Sequence, residues 1–457
     1  MLHLFDTALG TVVPLEPSRS GTLSMYVCGP TVSGEFHLGH GRFTVTWDVI
    51  RRYLAWSGLD VRFVSNVTDI EDKIIRRAAE EGRPAEEVAA HYEERWWELM
   101  DRLGVQRPTF APHATDYVEQ MRALIVELID AGHAYVGGDG VYFAAESVEG
   151  YGLLARQALD TLRAGARVEV SEEAGKRSPV DFVLWKFAKA GEPSWDSPWG
   201  PGRPGWHTEC VVMSLDLLGE GFDLHGGGID LAFPHHENER AQALGAGRSF
   251  ARHWAHSGMV MAEGGEKMSK SLGNILSLSE LVGANDPRAL RLLVLQSHYR
   301  SPITVGESNL AAAGRTLAGL DAFAREFRLA RGGAADPAAL QAFRTAMDDD
   351  LDTPRAVAGL FDLMKQARSA SPSSPEAAAS AASAVFELFE DALGLGLGAS
   401  DAAAVTPDER AAAEAKAALR DEARRARDFA RADAIRDQLV AEGWIVEDGA
   451  DGSTIWR

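Results

Sequence analysis

The chain has 457 residues, of which 46% are hydrophobic and 25% are charged, as in an average globular protein. This composition excludes a mainly disordered chain, and the length suggests about three domains. No apolar run reaches about 18 residues, so we expect no membrane-spanning helix. The first residues lack a basic segment followed by an apolar one, which argues against a signal peptide.

Acidic residues outnumber basic ones by 67 to 46, and the formal net charge is −21. This excess argues against a wholly basic nucleic-acid coat protein, although a local basic patch can still hold phosphate groups through its local field. Only two cysteines occur, Cys28 and Cys210. They exclude a disulfide scaffold and favour a reducing, cytoplasmic location.

Strand and helix patterns alternate in the N-terminal part of the chain. Short apolar runs at 23–28 and 61–67 predict buried strands, and helical spacing follows each of them at 37–54 and 70–81. This alternation indicates an α/β fold with a parallel sheet. The pattern is less regular from 115 to 205, where glycine, proline and tryptophan cluster near the end and indicate an insertion.

The second half of the chain changes character three times. Residues 222–228 resume the strand-and-loop pattern, and residues 309–395 are alanine-rich with helical spacing. A glycine-containing stretch from 394 to 407 is typical of a flexible linker. A small final unit is predicted from 408 to 457.

The tetrapeptide His37-Leu38-Gly39-His40 lies at the predicted start of the first long helix. A helix N-terminus offers unpaired N–H groups and a positive dipole end to phosphate. Glycine allows a ligand to approach the backbone closely, and the histidines can donate to phosphate oxygens. Taken alone, however, the tetrapeptide is more often an ordinary solvated helix start.

A second motif, Lys267-Met268-Ser269-Lys270-Ser271, follows a loop rich in glycine and glutamate. Two lysines beside small hydroxyl residues can neutralise a triphosphate, although an ordinary basic turn has the same composition. The two motifs in this order, more than 200 residues apart, are far more specific. The pair is typical of class I aminoacyl-tRNA synthetases, in which the motifs hold ATP from opposite sides.

Both cysteines are candidate metal ligands, together with side chains of the segment that begins at Pro234. If Pro234 opens a helix, His235 and Glu239 are four residues apart and share a face. Two thiolates, one imidazole and one carboxylate form a sound zinc set. Two buried structural cysteines beside a polar helix are the alternative. Spacing also leaves open His236 or His207 as the imidazole and Glu237 as the carboxylate.

A basic stripe is predicted near the C-terminus. Residues 416–436 contain seven basic and four acidic side chains, a local net charge of 7 − 4 = +3. On a single helix the stripe would line one face and could hold a phosphate backbone. The alternative is a solvated face with salt bridges to Asp421, Glu422 and Asp428. The stripe consists of Lys416, Arg420, Arg424, Arg427 and Arg431.

Nearly the whole chain resembles the bacterial cysteinyl-tRNA synthetase family. The segments that carry the resemblance are 25–31, 66–70, 202–207, 226–231, 233–239, 267–274 and 298–302. The resemblance implies a class I Rossmann-like catalytic domain with an insertion, a helical bundle and a small C-terminal anticodon-binding domain. The implied boundaries are 1–304 with an insertion at about 112–205, then 305–395, a linker at 396–407, and 408–457.

The resemblance also implies site residues. Zinc falls to Cys28, Cys210, His235 and Glu239 and is expected to bind the substrate thiolate, because zinc favours sulfur over a hydroxyl. A required contact of this kind can reject serine by roughly 10⁴–10⁵ without an editing domain. The amino-acid pocket is expected to contain Thr68, Trp206 and Asp230. ATP with Mg²⁺ is expected at His37, Gly39, His40, Lys267, Ser269 and Lys270.

The implied reaction has two steps, in which cysteine is activated by ATP and then transferred to the terminal adenosine of tRNA(Cys). His37, His40, Lys267 and Lys270 are expected to act by positioning and charge stabilisation, and Lys270 is the foremost candidate for transition-state contact. The family suggests a monomer. The C-terminal stripe is expected to contact tRNA.

The chain departs from the usual family pattern near the metal ligands, at Ser33, Thr208, Val211 and Val212. These changes remove no ligand, but they leave room for a paralogue with another substrate or acceptor. One alternative is a cysteine ligase that acylates a small amine, as the mycothiol-pathway ligase does, and the C-terminal unit argues against it. Another is a non-catalytic paralogue, against which the intact nucleotide motifs argue.

Overall fold

The computed structural model describes residues 1–156, 175–261, 276–398, 407–449 and 452–456. Its strands, in chain order, are β1 (His3–Asp6), β2 (Thr11–Pro14), β3 (Thr22–Val27), β4 (Asp60–Val64), β5 (Ala134–Val136), β6 (Gly140–Phe143), β7 (Phe182–Phe187), β8 (Gly202–Pro204), β9 (Leu224–Gly228), β10 (His253–Ser257), β11 (Val260–Met261), β12 (Ile303–Thr304), β13 (Ile445–Gly449) and β14 (Gly452–Trp456).

The α-helices extend from the first nucleotide motif to the C-terminal unit. They are α1 (Leu38–Trp56), α2 (Asp72–Glu81), α3 (Ala85–Arg102), α4 (Val118–Asp130), α5 (Trp206–Leu218), α6 (Glu237–Gly245), α7 (Leu278–Ala284), α8 (Pro287–Leu295), α9 (Glu307–Glu326), α10 (Pro337–Met347), α11 (Thr353–Ala370), α12 (Pro375–Phe386), α13 (Pro407–Arg425) and α14 (Phe429–Ala441). Short 3₁₀ and π turns connect several of them.

A four-stranded sheet forms the centre of the catalytic part, with strand order β10-β9-β3-β4 and parallel pairing throughout. The chain leaves β3 toward β4 on one side, whereas β9 and β10 lie on the other. In such sheets, ligands bind outside the carboxyl ends of the strands at the point where the order reverses. That point lies between the ends of β3 and β9.

Helices cover the central sheet, as expected of buried parallel strands. Leu23 and Met25 of β3 point to one face of the sheet and Tyr26 points to the other, and all three are fully buried. Helix α1 places Trp47 against β9 so closely that a Cβ on Gly226 would lie 2.2 Å from the indole ring. Glycine at 226 is therefore a packing requirement of the sheet.

The predicted alternation of strands and helices is confirmed. The strand predicted at 23–28 is β3, and the helix predicted at 37–54 is α1, with His37 as its N-cap. The predicted 61–67 strand is shorter, because regular pairing ends at Val64 and continues only as isolated bridges such as Val67 with His113. The helix predicted from 70 begins at Asp72, after Glu71 caps it.

An insertion interrupts the parallel sheet, as predicted. Strands β5 to β8 form a separate antiparallel sheet in sequence order. Ion pairs attach this sheet to the start of α2, where Asp72 contacts both Lys186 and Arg203. Arg203 is buried, with only 5% of its side chain exposed, and its second carboxylate partner is Glu192 at 3.3 Å.

The chain divides into two compact units, Met1–Gly319 with Phe327–Leu395 and Leu320–Glu326 with Gly396–Arg457. The first contains the central sheet, the insertion and helices α10 to α12. In the second, α13 and α14 pack with the β13–β14 hairpin around Ala417, Leu439 and Trp444. Residues 399–406 of the predicted linker lie outside the described part. No described helix has the length and apolar character that crossing a membrane requires.

Candidate metal centre and active site

Four potential metal ligands meet where β3 ends. Cys28 directly follows β3, and Cys210 lies in the second turn of α5. His235 lies in the π turn Ala232–His236, and Glu239 lies four residues later in the first turn of α6. All four side chains are buried. Their donor atoms lie within 4.8 Å of one another, so the structure brings together the set that the sequence predicted as zinc ligands.

The spacing of these donor atoms suits a tetrahedral ion. The two Sγ atoms are 3.7 Å apart, and Sγ of Cys28 is 3.5 Å from Oε1 of Glu239. Nε2 of His235 is 3.6 Å from Sγ of Cys210 and 3.0 Å from the same Oε1. Zinc–ligand bonds of about 2.0–2.3 Å place tetrahedral ligands roughly 3.3–3.8 Å apart. The donor set and its dimensions therefore fit zinc.

The approach of β3 to β4 fixes the position of Cys28. A Cβ on Gly29 would lie 1.7 Å from the backbone oxygen of Asn66, so only glycine fits there. The N–H of Gly29 also donates to Oδ1 of Asn66 at 2.9 Å. Position 29 thus holds the loops after the two strands together, with Cys28 between them.

The protonation states of the cluster favour metal binding. Burial opposes the charge of Glu239, but His225 and His235 hold the pKa of this carboxyl well below its usual range. Burial also opposes ionisation of Cys210, yet hydrogen bonds with Cys28 and His235 lower the pKa of Cys210 to about 6. The cluster thus contains an ionised carboxylate and one acidic thiol.

Further histidines surround the four predicted ligands, and the sequence analysis did not foresee all of them. His225 contacts Oε2 of Glu239 at 2.7 Å, and Nδ1 of His236 contacts Nε2 of His256 at 2.8 Å. Burial and then the charge of His225 hold the pKa of His236 well below its usual value. Cys28, His225, His236 and Glu239 form a second group with ligand spacing. Geometry therefore keeps His236 as an alternative ligand.

Trp206 borders the cluster, whereas Asp230 does not enter it. The indole of Trp206 stacks on His235 with ring centroids 4.0 Å apart. Nδ1 of His207 lies 2.8 Å from Nδ1 of His235. Asp230 lies in an exposed 3₁₀ turn after β9.

Thr68 is buried in a hydrogen-bonded network that the sequence analysis captured only in part. Its hydroxyl donates to Oε2 of Glu209 at 2.9 Å and accepts from Nδ2 of Asn66 at 3.2 Å. Glu209 is fully buried, and burial and then the charge of Cys210 raise its pKa well above the usual value. The sequence signal for Glu209 was its place beside Cys210 in the segment 206–210.

The first nucleotide motif caps α1. Nδ1 of His37 accepts from the N–H of Gly39, and Nδ1 of His40 accepts from the N–H of His37, both at 3.1 Å. A neutral imidazole whose Nδ1 accepts carries its proton on Nε2. In the neutral form both rings therefore carry their proton on Nε2, and their centroids lie 3.9 Å apart at a helix N-terminus.

The second nucleotide motif, with Lys267, Ser269 and Lys270, lies outside the described residues. The chain that follows it pairs with the first motif. The N–H of Leu38 donates to the oxygen of Leu276 at 3.0 Å, and the N–H of Leu278 donates to the oxygen of Phe36 at 2.9 Å. Residues 276–278 are thereby fixed at the start of α1.

The prediction that the basic stripe lies on one helix is wrong. Helix α13 ends at Arg425 and α14 begins at Phe429, and Arg427 between them has a φ of +62°. Arg420 is buried and donates to Oγ of Ser453, and Lys416 pairs with Glu442. The exposed members of the stripe are Arg424, Arg427 and Arg431.

Comparisons with known proteins agree with this arrangement. The family model described as "tRNA synthetases class I (C) catalytic domain" matches residues 14–315, and the "DALR domain" matches 342–398. The chain is 46% identical to "Cysteine--tRNA ligase" of Alkalilimnicola ehrlichii over 100% of both proteins. It is also 46% identical to that of Halorhodospira halophila, over 100% of this chain and 99% of the relative.

Solved structures show the same fold at low identity. A Mycobacterium tuberculosis methionyl-tRNA synthetase with methionyl-adenylate superposes with a TM-score of 0.60 and 17% identity, covering 81% of this chain and 89% of that one. The LeuRS of Agrobacterium radiobacter K84, in a ternary complex with tRNA, superposes with a TM-score of 0.61 and 13% identity, covering 83% of this chain and 85% of that one. The small-amine ligase alternative gains no support. The chain belongs to the cysteine--tRNA ligase family of class I aminoacyl-tRNA synthetases.

Proposed function

We propose that Cys28, Cys210, His235 and Glu239 hold one zinc ion that binds the thiolate of L-cysteine while the enzyme activates it. The observation that carries this proposal is the spacing of the four buried donor atoms. Bound zinc supplies a Lewis acid that favours a thiolate over a hydroxyl. Selection of cysteine against serine then takes place where the amino acid first binds.

The nucleotide is held from two sides. Nε2–H of His37 and of His40 donate to phosphate oxygens at the start of α1, and Gly39 allows close approach. Lys267, Ser269 and Lys270 approach from the other side and neutralise the triphosphate with Mg²⁺. In support, the segment after these lysines pairs with the first motif.

Two reactions follow from this arrangement. The carboxylate of cysteine attacks the α-phosphate of ATP, and pyrophosphate leaves. A ribose hydroxyl of the terminal adenosine of tRNA(Cys) then attacks the acyl carbon, and AMP leaves. The protein's part is to align the reactants and to stabilise charge on the phosphates, with Lys270 as the foremost group.

The amino-acid pocket and the tRNA surface complete the proposal. Thr68 and Trp206 border the amino acid near the metal cluster, and Asp230 follows β9 at the same end of the sheet. The C-terminal unit at 408–457 contacts the anticodon region of tRNA through Arg424, Arg427 and Arg431. The enzyme acts as a monomer in the cytoplasm, where the thiols of Cys28 and Cys210 stay reduced.

The test combines metal content with aminoacylation. Purified protein and its Cys210→Ser and Glu239→Gln variants are analysed for zinc by mass spectrometry, with His91→Ala as a control at an exposed histidine. We expect one zinc per chain in the wild type and the control, and close to none in the two ligand variants. The same samples are given labelled cysteine or serine with ATP, Mg²⁺ and bacterial tRNA.

Charging with cysteine and not serine, lost together with the zinc, supports the proposal. Metal-free wild-type protein with full and selective activity would contradict the role of zinc. Cysteine-dependent pyrophosphate exchange without charged tRNA would contradict the proposed acceptor.

A further inference from the structure

Glu209 has one carboxylate oxygen that the protein does not satisfy. Oε2 accepts the hydroxyl of Thr68 at 2.9 Å, whereas Oε1 is buried and has no hydrogen-bond partner among the described residues. The whole side chain is inaccessible to solvent. A buried carboxylate oxygen without a donor is costly, so such an atom usually marks the place of a missing partner.

No described neighbour of Glu209 donates a hydrogen bond to that oxygen. The single hydroxyl hydrogen of Thr68 is already directed to Oε2 of Glu209. The amide of Asn66 donates to Thr68 at 3.2 Å, and its oxygen accepts from Gly29 at 2.9 Å. Within the described residues the network therefore ends at Oε1, which remains an acceptor for a bound ligand.

The position of this oxygen indicates which ligand that is. Thr68 and Asn66 follow β4, and Glu209 precedes the metal-ligand candidate Cys210 on α5. Oδ1 of Asn66 lies 3.8 Å from Sγ of Cys210, so the network borders the metal cluster. A molecule whose sulfur is held by that cluster brings its α-amino group, two carbon atoms away from the sulfur, into the same region.

We propose that Oε1 of Glu209 binds the α-ammonium group of the substrate cysteine. The proposal rests on the proposed function, because the cluster has to hold the thiolate first. An ammonium–carboxylate hydrogen bond is charge-assisted and is strong in a site without water. Thr68 is then a positioning residue for Glu209, because its hydroxyl holds the carboxylate through Oε2.

The experiment compares cysteine with 3-mercaptopropionate, which has the same thiol and carboxylate but no amine. Pyrophosphate exchange gives kcat/KM for cysteine and the inhibition constant of 3-mercaptopropionate. In Glu209→Gln, which keeps the size of the side chain, we expect kcat/KM for cysteine to fall roughly 10- to 100-fold. The inhibition constant of 3-mercaptopropionate should change much less, because this compound has no amine to pair with Oε1.

Two further variants separate binding from structure. Thr68→Val removes the hydroxyl at constant size. It should weaken the binding of cysteine more than that of 3-mercaptopropionate, because Glu209 loses its hydrogen bond from Thr68. Glu237→Gln is the matched control, since Glu237 is a buried carboxylate that already accepts from Leu154 at 2.6 Å and Arg240 at 3.1 Å. Any loss in this control should affect both compounds equally.

The proposal would be overturned if Glu209→Gln weakened the binding of both compounds equally, or if kcat/KM for cysteine were unchanged. If that variant does not fold, the ratio of the two compounds in Thr68→Val decides instead. Zinc is measured in every sample. Wild-type protein without zinc contradicts the proposed function, whereas zinc-replete variants that keep the wild-type ratio contradict only the role of Glu209.

Discussion

Trp206 lies nearly flat against His235, with an interplanar angle of 19° between the indole and imidazole rings. This contact fixes the plane of the candidate ligand ring, and His207 approaches its Nδ1. Nε2 of His235 is consequently the nitrogen that meets Cys210 and Glu239. Outer contacts of this kind commonly set the orientation of metal-binding histidines.

Replacing Trp206 by alanine should therefore weaken metal binding. We expect zinc affinity to fall by roughly 10- to 100-fold, as for other contacts that orient a ligand. Trp206→Phe keeps an aromatic face and should stay close to the wild type. Competition with a chelator measures both variants, and equal zinc retention in Trp206→Ala and the wild type would show that stacking does not hold the ring.

Gly29→Ala should disrupt the centre of the site. The added methyl group would lie 1.7 Å from the backbone oxygen of Asn66, and backbone cannot move aside cheaply. We expect a lower melting temperature, loss of zinc and loss of cysteine-dependent pyrophosphate exchange. Gly34→Ala is the control, since its methyl group would meet only the tip of the Arg77 side chain at 3.0 Å. Similar behaviour of the two variants would refute this reading of position 29.

His113 should make stability depend on pH near neutrality. Burial opposes its charge, but Glu93 at 2.9 Å, with Asp69 and Asp116, raises the pKa of His113 above its ordinary value. A histidine whose pKa is higher in the folded than in the unfolded protein stabilises the fold. This stabilisation is complete below the unfolded-state pKa of about 6.5 and disappears as the pH rises through the folded-state pKa. The bridge from His113 to Val67 links this pair to the Thr68 loop.

The measurement is thermal unfolding of the wild type and His113→Gln between about pH 6 and pH 9. We expect the difference in melting temperature to be largest at the acidic end and to shrink toward pH 9. Glu93→Gln, which removes the charge that pairs with His113, should show the same trend in melting temperature. A difference that stays constant across the range would exclude titration of His113 as its cause.

The basic side chains of the C-terminal unit should separate into two groups. Arg424→Glu and Arg431→Glu should raise KM for tRNA and leave pyrophosphate exchange unchanged, because these exposed side chains are proposed to contact phosphate. Arg420→Ala should instead lower the melting temperature of the unit, because Arg420 is buried against Ser453. Unchanged tRNA kinetics in both charge reversals would place the tRNA elsewhere.

Periodic patterns predicted the central fold because each buried strand and helix carries its own local signal. The stripe prediction was wrong at Arg427 for a related reason. Basic residues keep a helical spacing across two helices, and neither proline nor glycine marks the break at 426–428. Sequence spacing cannot detect a turn made by a non-glycine residue with positive φ.

The site was predictable where a local motif carries the chemistry, as at His37 and His40. The metal ligands required the family resemblance, because spacing did not distinguish His235 from His236. Glu209 and His225 were missed, since their roles depend on contacts with residues far away in the sequence. A buried carboxylate without a donor becomes visible only when its surroundings are known.

Cys28 and Glu239 supply neighbouring donor atoms although 211 positions separate them in the chain. During synthesis on the ribosome, the first thiol emerges long before the last carboxylate exists. A product truncated before α6 carries both cysteines and His235 but lacks Glu239, which completes the donor set. Under the proposed zinc assignment, the metal content of a preparation therefore measures the fraction of chains that have folded through α6.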